Sequence, residues 1–175
     1  MSEIGLKRGL VKLARHNASW EKLFEKEKNN LKKILGKFAV KIEHIGSTAI
    51  PHISAKPVID ISVGVESMKN TKLYIKILEK SGYFYRPKFG HINYHLVFAK
   101  GDETKRTHYI HLVKHNGVIW KRDLVFRDYL RDHPYRRKQY EQLKKNLANK
   151  YPNDRRKYTL NKTQFILKTI KMAER

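Results

Sequence analysis

The run from Ile42 to Val63 constrains this chain most, because two apolar segments there flank a turn of small residues. The first segment ends in Gly46-Ser47-Thr48, and the second, Val58 to Val65, carries one carboxylate, Asp60. Glycine lets the backbone turn with positive φ and approach a ligand closely, and the two hydroxyls add to exposed N–H groups that attract anions. The run therefore predicts a phosphate loop beside an acid.

Alternation along the second segment indicates which side chains share a face. Asp60 and Ser62 lie on one face of a strand, whereas Ile59, Ile61 and Val63 fill the other. An acid on the polar face, close to a phosphate loop, is a position where a divalent metal is useful. Gly-Ser-Thr is also a common turn sequence, and a lone aspartate can simply cap a loop, so this run alone leaves both interpretations open.

The same run resembles the hallmark of the GrpB family, which is a histidine, then Gly-Ser-Thr-Ala-Val-Pro, then Ala-Lys-Pro, then Ile-Asp-Ile. Here the hallmark reads His44 to Pro51, Ala55 to Pro57 and Ile59 to Ile61. Further segments that resemble the family extend over nearly the whole chain, in order and with fitting gaps: Trp20, Thr107 to Val113, Phe126 to Pro134, Tyr140 to Lys144 and Tyr158 to Lys162.

The resemblance implies an α/β (α+β) fold similar to that of the nucleotidyltransferase superfamily, with a short mixed sheet flanked by helices and a C-terminal helical segment. In that superfamily an Asp-x-Asp strand and a third carboxylate hold metal ions that clamp a nucleoside triphosphate. This chain has Ser62 in place of the second acid and, on the strand from Tyr109 to Val113, His111 in place of the third. One carboxylate is a poor cage for two magnesium ions, whereas histidine suits zinc, manganese or a general base.

We therefore expect Asp60 and His111 to be the catalytic residues and, with His44, to hold one divalent metal, which is Mg²⁺, Mn²⁺ or Zn²⁺. For each histidine a hydrogen-bonded structural role on its strand is the alternative. Gly46, Ser47 and Thr48 are expected to cradle the phosphates of a nucleoside triphosphate, the possible substrate. Lys56, just before the acid strand, is placed to neutralise phosphate charge, and the resemblance retains it.

A pair of arginines is a further candidate for phosphate binding. Arg127 and Arg131 are four residues apart and share one face of a predicted helix, so two guanidinium groups could grip a triphosphate bidentately. The alternative is that Asp128 and Asp132 pair with them and lock the helix onto the sheet.

Net charge is the second unusual property, since 39 Lys and Arg against 16 Asp and Glu leave +23. Such a surface attracts polyanions through counterion release, so RNA is an expected partner of the basic C-terminal helices. The clusters are Arg136-Arg137-Lys138, Lys144-Lys145 and Arg155-Arg156-Lys157. The alternative is that lysine is merely a favoured solvated surface residue here, and the tyrosines between the clusters are more typical of a core than of stacking platforms.

Length and composition predict one domain over residues 1–175, with a sheet-bearing part over about 1–115 and a helical tail over about 122–173. The absence of cysteine excludes disulfides and thiolate metal sites. No segment approaches the roughly 18 consecutive apolar residues of a membrane span, and no apolar stretch of signal-peptide length lies at the N-terminus. We expect a cytoplasmic protein without a membrane partner, and the oligomeric state stays open.

Apolar spacing predicts the elements around the site. A helix spans Ala18 to Leu35 and is closed by Gly36, a strand begins near Phe38, and a second helix ends at Gly82. Strands follow at Tyr94 to Ala99 and Thr107 to Val113, joined by a hairpin at Asp102-Glu103-Thr104-Lys105. Three helices complete the chain: Leu124 to Asp132, Pro134 to Lys150 and Arg155 to Ala173.

Two functions remain open on this basis. In the first, the protein is a nucleotidyltransferase-like enzyme that moves a nucleotidyl or phosphoryl group to an unknown acceptor with one divalent metal. In the second, it is a catalytically silent member that binds a nucleotide or RNA on the same fold. The missing second carboxylate favours the second function, whereas the retained loop, Lys56 and Asp60 favour the first.

Overall fold

A mixed sheet forms the centre of the protein in the computed structural model, which describes residues 4–102 and 104–174. The strand order is β2-β3-β6-β5-β4, with β1 paired to the start of β6. β3 and β6 run parallel, and the other pairings are antiparallel. The strands are β1 (Leu6–Lys7), β2 (Lys41–Ile45), β3 (Ile59–Val65), β4 (Phe84–Tyr85), β5 (His95–Gly101) and β6 (Lys105–Lys114). The expected α/β fold with a short mixed sheet is confirmed.

Helices cover both faces of this sheet. The helices are α1 (Ser19–Leu35), α2 (Thr71–Lys80), α3 (Val118–Asp132), α4 (Pro134–Lys150), α5 (Arg155–Leu160) and α6 (Thr163–Ala173). α1 and α2 pack on one face with the main apolar core, and the helices after β6 lie on the other. Among the described residues, no helix combines the length and the apolar character that crossing a bilayer requires.

Alternation along β3 explains why the two faces differ. Ile59, Ile61 and Val63 are fully buried in the main core, where Trp20 and Phe24 of α1 pack against the sheet. Each such side chain contributes about 1.5–3 kcal/mol by leaving water. Asp60 and Ser62 point to the opposite face, as expected from the two-residue period. The site residues on β3 are therefore fixed by a strand whose other face is anchored in the core.

The segment that precedes β3 is held by α4. The Glu141 carboxylate accepts hydrogen bonds from the backbone N–H and the hydroxyl of Ser54, both at 2.9 Å, and Lys144 Nζ donates to the Ser54 carbonyl oxygen at 2.5 Å. Lys144 is fully buried. Burial, followed by the positive charge of Lys162, lowers the pKa of Lys144 to about 7. These contacts fix the chain two residues before Lys56.

The structure corrects several predicted boundaries. The predicted helix from Arg155 to Ala173 is two helices, because the Lys162 N–H bonds back to Thr159 and ends α5. The break lets Tyr158 pack beside Val11 and Leu147, while α6 packs its own apolar residues against α3.

Two further differences concern short elements. α3 begins at Val118, six residues before the predicted start, and β2 begins only at Lys41, because residues 36–38 form a short 3₁₀ turn. β5 and β6 are adjacent and antiparallel, as the predicted hairpin requires; Glu103, expected in its turn, lies outside the described residues. The two-residue strands β1 and β4 were too short to give a periodic signal.

Candidate functional site

A cavity of about 360 Å³ lies between the polar face of the sheet and the helices that follow it. Asp60 on β3 and Tyr109 and His111 on β6 line it from the sheet. Asp60 pairs with Tyr109, and Ser62 with His111, in the parallel ladder, so these side chains share one face. The turn after β2, the Lys56 segment, β5 with the preceding Phe89, and helices α3 to α6 supply the rest of the lining.

The turn at Gly46 approaches the acid so closely that it requires glycine. Gly46 has φ 70° and ψ −169°, and a Cβ atom built there would lie 2.6 Å from Asp60 Oδ2. A side chain at this position would therefore both strain the backbone and displace the carboxylate. The predicted loop and the predicted acid are in direct contact at the cavity.

The two hydroxyl residues of the turn have different surroundings. Ser47 Oγ lies 3.4 Å from Tyr140 Oη, a long hydrogen bond that keeps the hydroxyl at the cavity lining. Thr48 is buried, and its Oγ1 lies 3.0 Å from His44 Nε2. Of the two predicted phosphate contacts from hydroxyls, Ser47 is therefore the one whose side chain is not already held by a short internal bond.

Asp60, His111 and His95 form a chain of polar contacts along the cavity. His111 Nε2 lies 3.9 Å from Asp60 Oδ1, which is ion-pair distance rather than hydrogen-bond distance. His111 Nδ1 lies 2.9 Å from His95 Nε2. Burial, helped by the charges of His111 and Arg122, lowers the pKa of His95 to about 4. A neutral His95 thus orients the His111 ring toward Asp60.

Three cations converge on the opposite side of the cavity. Lys56 Nζ and Lys162 Nζ lie 5.2 Å and 4.7 Å from the centre of the Tyr158 ring. Arg155 stacks on the Tyr109 ring at 4.7 Å and donates from Nη1 to Tyr109 Oη at 3.0 Å. Burial, followed by the charges of Arg155 and Lys162, lowers the pKa of Lys56 well below its usual range.

The charge balance of the cavity is positive. Burial opposes ionisation of Asp60, but the contact with His111 and the charges of Lys56 and Arg155 outweigh it, so the pKa of its carboxyl is lowered and the group is ionised. Asp123, which also lines the cavity, is paired with Arg122 at 2.9 Å. Asp60, whose carboxylate lies at ion-pair distance from His111, therefore shares the cavity with three cations, an arrangement that attracts an anion.

His44, expected as a metal ligand, does not line the cavity. It is buried and stacked on Phe24 with ring centres 4.8 Å apart. Its Nδ1 lies 3.1 Å from Glu21 Oε2, and its Nε2 contacts Thr48 as described above. Because both ring nitrogens already have partners, the structural alternative describes this histidine, and we carry the metal role of His44 no further.

The predicted arginine pair also lies outside the cavity lining. Arg127 Nη1 donates at 2.8 Å both to Glu43 Oε2 and to the carbonyl oxygen of His44. Arg131 donates to the carbonyl oxygen of Ala49 from Nε at 2.9 Å and from Nη2 at 2.7 Å. Both guanidinium groups thus tie α3 to the chain around the Gly46 turn. Asp128 pairs with both arginines, as the structural alternative expected, but Glu43 and two backbone carbonyl groups make the contacts that hold the helix there.

A divalent ion finds few protein ligands here. Within the described parts of the chain, no group of three or more His, Cys, Asp and Glu side chains has metal-binding spacing. Asp60 Oδ1 and His111 Nε2, 3.9 Å apart, are two possible ligands, and Ser62 cannot join them because it is fully buried. Cations surround the pair, so these residues fit one ion only when a ligand adds further anionic oxygens.

Several lining residues carried no prediction as ligand contacts. No sequence pattern assigns a ligand role to His95, Tyr140 or Tyr158, and Arg155 appears only within one of the three basic clusters. Lys162 lies just after the helix break, a position that the apolar pattern did not reveal. The available signal was the flanking of Tyr158 by cations at three and four residues, since a helical turn places them around one ring.

Fold and cavity together define an α/β protein with a positively charged cavity beside a Gly-Ser turn. The chain belongs to the GrpB family: the family model described as GrpB protein matches residues 10–172.

Known relatives agree with this assignment. Glutamate-rich protein GrpB of Alkalihalophilus pseudofirmus is 44% identical over 167 residues, which are 93% of this chain and 95% of that protein. UPF0157 protein YqkA of Bacillus subtilis is 36% identical over 165 residues, 94% of this chain and 48% of that protein. The crystal structure of conserved protein GrpB from Enterococcus faecalis superposes with a TM-score of 0.83 at 37% identity, covering 93% of this chain and 96% of that one.

Proposed function

We propose that the cavity binds the phosphate groups of a nucleotide or a related phosphorylated small molecule. The observation that carries this proposal is the convergence of Lys56, Arg155 and Lys162 on a cavity whose lining carboxylates are Asp60 and Asp123, the latter paired with Arg122. Keeping three like charges close together in a partly buried place is unfavourable unless an anion joins them. The cavity volume of about 360 Å³ is in the range of small-molecule sites.

The cations differ in what they would recognise. Arg155 is held by Tyr109, so its planar guanidinium is already oriented and is suited to two oxygens of one phosphate. Lys56 and Lys162 lie at the Tyr158 ring and act as point charges that adapt to the position of the phosphate. Ser47 adds a hydroxyl from the turn on the Asp60 side.

For the reaction, we infer transfer of a phosphoryl or nucleotidyl group to an unknown acceptor. Asp60 and His111 lie beside the phosphate site and are the groups that could accept a proton from an attacking hydroxyl. His95 fixes the His111 ring through the contact between Nε2 and Nδ1. A divalent ion bound with the phosphates, of which Mg²⁺, Mn²⁺ and Zn²⁺ are the candidates, would supply charge neutralisation.

A catalytically silent nucleotide- or RNA-binding protein is the second candidate. The observation that favours it is Ser62, which replaces an acid and is fully buried, so two metal ions have no cage of carboxylates. The basic C-terminal surface supports the RNA form only in part, because Arg136 packs on Phe165 and Arg137 donates to the Arg131 carbonyl oxygen.

The test is calorimetric titration of ATP, GTP, CTP and UTP, with and without Mg²⁺ or Mn²⁺, against four proteins. These are the wild type, Lys56→Met, Asp60→Asn and Lys76→Met, the last a matched loss of one positive charge on the exposed surface of α2. We expect Lys56→Met to bind nucleotide weakly and Lys76→Met to bind it normally. Equal binding by Lys56→Met and the wild type would remove the basis of the proposal.

Product analysis separates the two candidates. An enzyme binds nucleotide more tightly with metal, releases pyrophosphate or a nucleoside diphosphate, and loses that release in Asp60→Asn. A silent protein binds with little effect of metal and gives no product. Its Asp60→Asn variant binds nucleotide at least as tightly as the wild type, because the substitution removes a negative charge from the cavity without removing a metal ligand. An RNA-binding protein loses affinity steeply with salt and further when Arg136, Arg137 and Lys138 are neutralised together.

A further inference from the structure

A second concentration of positive charge lies on the other face of the sheet. A cavity of about 410 Å³ there is lined by Arg8, Arg86 and Arg106, together with residues of the β4 segment. Along β6, Arg106 alternates with Tyr109 and His111 and so points to the opposite face from the candidate site. The two cavities share none of their lining residues.

Arg106 is unusual because part of its buried guanidinium has no hydrogen-bond partner among the described residues. The residue is 3% exposed, and its Nη1 atom has no hydrogen-bond partner in the part of the chain that the structure describes. Its guanidinium lies 4.6 Å from the centre of the Phe84 ring, which supports the flat group from one side. A buried donor without an acceptor destabilises the folded state, and more so when it is charged, so folding alone does not explain this arrangement.

The surroundings of Arg106 add more positive charge. Burial, followed by the charge of Arg86 and then that of Arg8, lowers the pKa of Arg106, whereas Tyr109 and Asp102 act in the opposite direction. Among the described residues, Glu79 is the only carboxylate that lines this cavity. Three guanidinium groups therefore face a recess with one negative charge in its lining.

We propose that Arg8, Arg86 and Arg106 form a second anion site, which binds a terminal phosphate group. Arginine suits phosphate because its planar fork of N–H donors matches two phosphate oxygens. Arg106 is buried, Arg86 is partly exposed and Arg8 is exposed, so a group that reaches Arg106 past the other two must enter end-on. A terminal phosphate has three free oxygens and can do so, whereas an internal phosphodiester carries chain on both sides. The terminal phosphate can belong to a small molecule or to the 5′ end of RNA.

The experiment uses the Lys56→Met variant, so that binding in the main cavity does not obscure the result. Inorganic pyrophosphate is titrated while the Arg106 Nε–H and Phe84 ring signals are followed by NMR. We expect both signals to shift and the double variant Arg8→Gln/Arg86→Gln to bind pyrophosphate at least tenfold more weakly. A second double variant, Lys72→Gln/Lys76→Gln, removes the same charge from the exposed surface of α2 and should bind as its Lys56→Met parent does.

Two results would overturn the proposal. One is the absence of any shift at Arg106 in the parent, and the other is equal weakening by the arginine and lysine double variants, which would show attraction by net charge alone. Arg106→Gln should also weaken pyrophosphate binding. If that variant does not fold, the double variant Arg8→Gln/Arg86→Gln still tests whether the arginines bind pyrophosphate. Because all these measurements use the Lys56→Met background, a negative result would not bear on the proposal that the main cavity binds phosphate.

Two RNA probes then identify the source of the phosphate. If a short 5′-phosphorylated RNA competes with pyrophosphate and its 5′-hydroxyl counterpart does not, the site accepts RNA ends. If neither RNA competes while pyrophosphate binds, the ligand is a small phosphorylated molecule. Equal competition by both RNAs would contradict the requirement for a terminal phosphate.

Discussion

On the face of the sheet covered by α1 and α2, the buried carboxylate of Glu27 accepts hydrogen bonds from Tyr83 Oη and, at 2.6 Å, from Lys100 Nζ. On the opposite face, Lys56 and Lys162 lie around one tyrosine ring with Arg155 close by. The first arrangement compensates a buried charge inside the protein. The second places charges of one sign together around a cavity.

The two arrangements have opposite effects on the stability of the folded protein. A buried carboxylate with hydrogen-bond donors stabilises the native state, and removing it leaves donors unsatisfied. A group of like charges does the opposite, because its members repel one another and resist burial. Such a local cost is expected where a protein keeps a site ready for a ligand of opposite charge. Removing a charged group from the core face should therefore lower stability, whereas removing one from the cavity should lower ligand affinity without lowering stability.

The largest effect is expected for Glu27→Ala, which should lower the free energy of unfolding by about 2–3 kcal/mol. The variant leaves the Tyr83 hydroxyl without its acceptor and Lys100 without its partner. Chemical denaturation measures the change. Glu25→Ala is the control, since the Glu25 pair with Lys28 is partly exposed and should contribute less than about 0.5 kcal/mol. Similar losses in both variants would show that the network on this face adds no stability.

Lys56→Met should weaken phosphate binding about 30-fold, or about 2 kcal/mol, without lowering stability. The substitution removes one of three repelling charges while keeping an unbranched side chain of similar length. The unfolding free energy should stay constant or rise by up to about 1 kcal/mol. Calorimetry and denaturation are run in parallel, with Lys76→Met as the matched loss of charge. A clear loss of stability in Lys56→Met alone would mean that this lysine supports the fold.

His95 in the cavity and His108 on the core face allow the two faces of the sheet to be compared directly. Burial lowers the pKa of both residues to about 4. Between about pH 6.5 and 4 the unfolded chain binds these protons and the folded protein does not, so stability should fall as the pH falls through that window. A bound phosphate should raise the pKa of His95 by about one unit and leave that of His108 unchanged. Histidine NMR titration with and without pyrophosphate checks this. Equal pKa changes at His95 and His108 would show that pyrophosphate does not bind selectively in the cavity.

The predicted site residues that the structure brings into contact lie within one short run. Gly46 and Asp60 are brought together by a turn and two adjacent strands, and alternation alone places the carboxylate on the polar face. The contact of Gly46 with Asp60 is thus a consequence of local structure. Helical spacing likewise placed Arg127 and Arg131 on one face, and in the structure both contact the chain around the Gly46 turn.

The remaining site residues depend on tertiary packing that no local pattern contains. Arg155 contacts Tyr109 from the start of α5, a helix that packs through Tyr158 beside Val11. The spacing of Arg127 and Arg131 could not distinguish a phosphate from a backbone carbonyl, since a guanidinium donates to both. His44 and His111 lie on similar strands, and only their neighbours on the sheet and helices separate a buried residue from a cavity residue.

The smallest effect is expected for Ser47→Ala. Its hydroxyl makes only a long hydrogen bond with Tyr140, so the unfolding free energy should change by less than about 0.5 kcal/mol. Phosphate affinity should fall about threefold if the hydroxyl contacts the ligand. Thr48→Val is the comparison, because it removes a buried bond to His44 and should reduce stability more than binding. The reverse ranking of the two variants would assign the phosphate contact to Thr48.

The central claim is that Lys56, Arg155 and Lys162 form an anion site, and the ionisation of Lys56 tests it most directly. NMR of the side-chain carbon signals of Lys56 gives its pKa in the wild type, with and without saturating pyrophosphate. We expect a pKa well below that of surface lysines in the free protein, set by burial and by Arg155 and Lys162, and a rise when phosphate binds. A Lys56 pKa that stays the same when pyrophosphate saturates the protein would contradict the account.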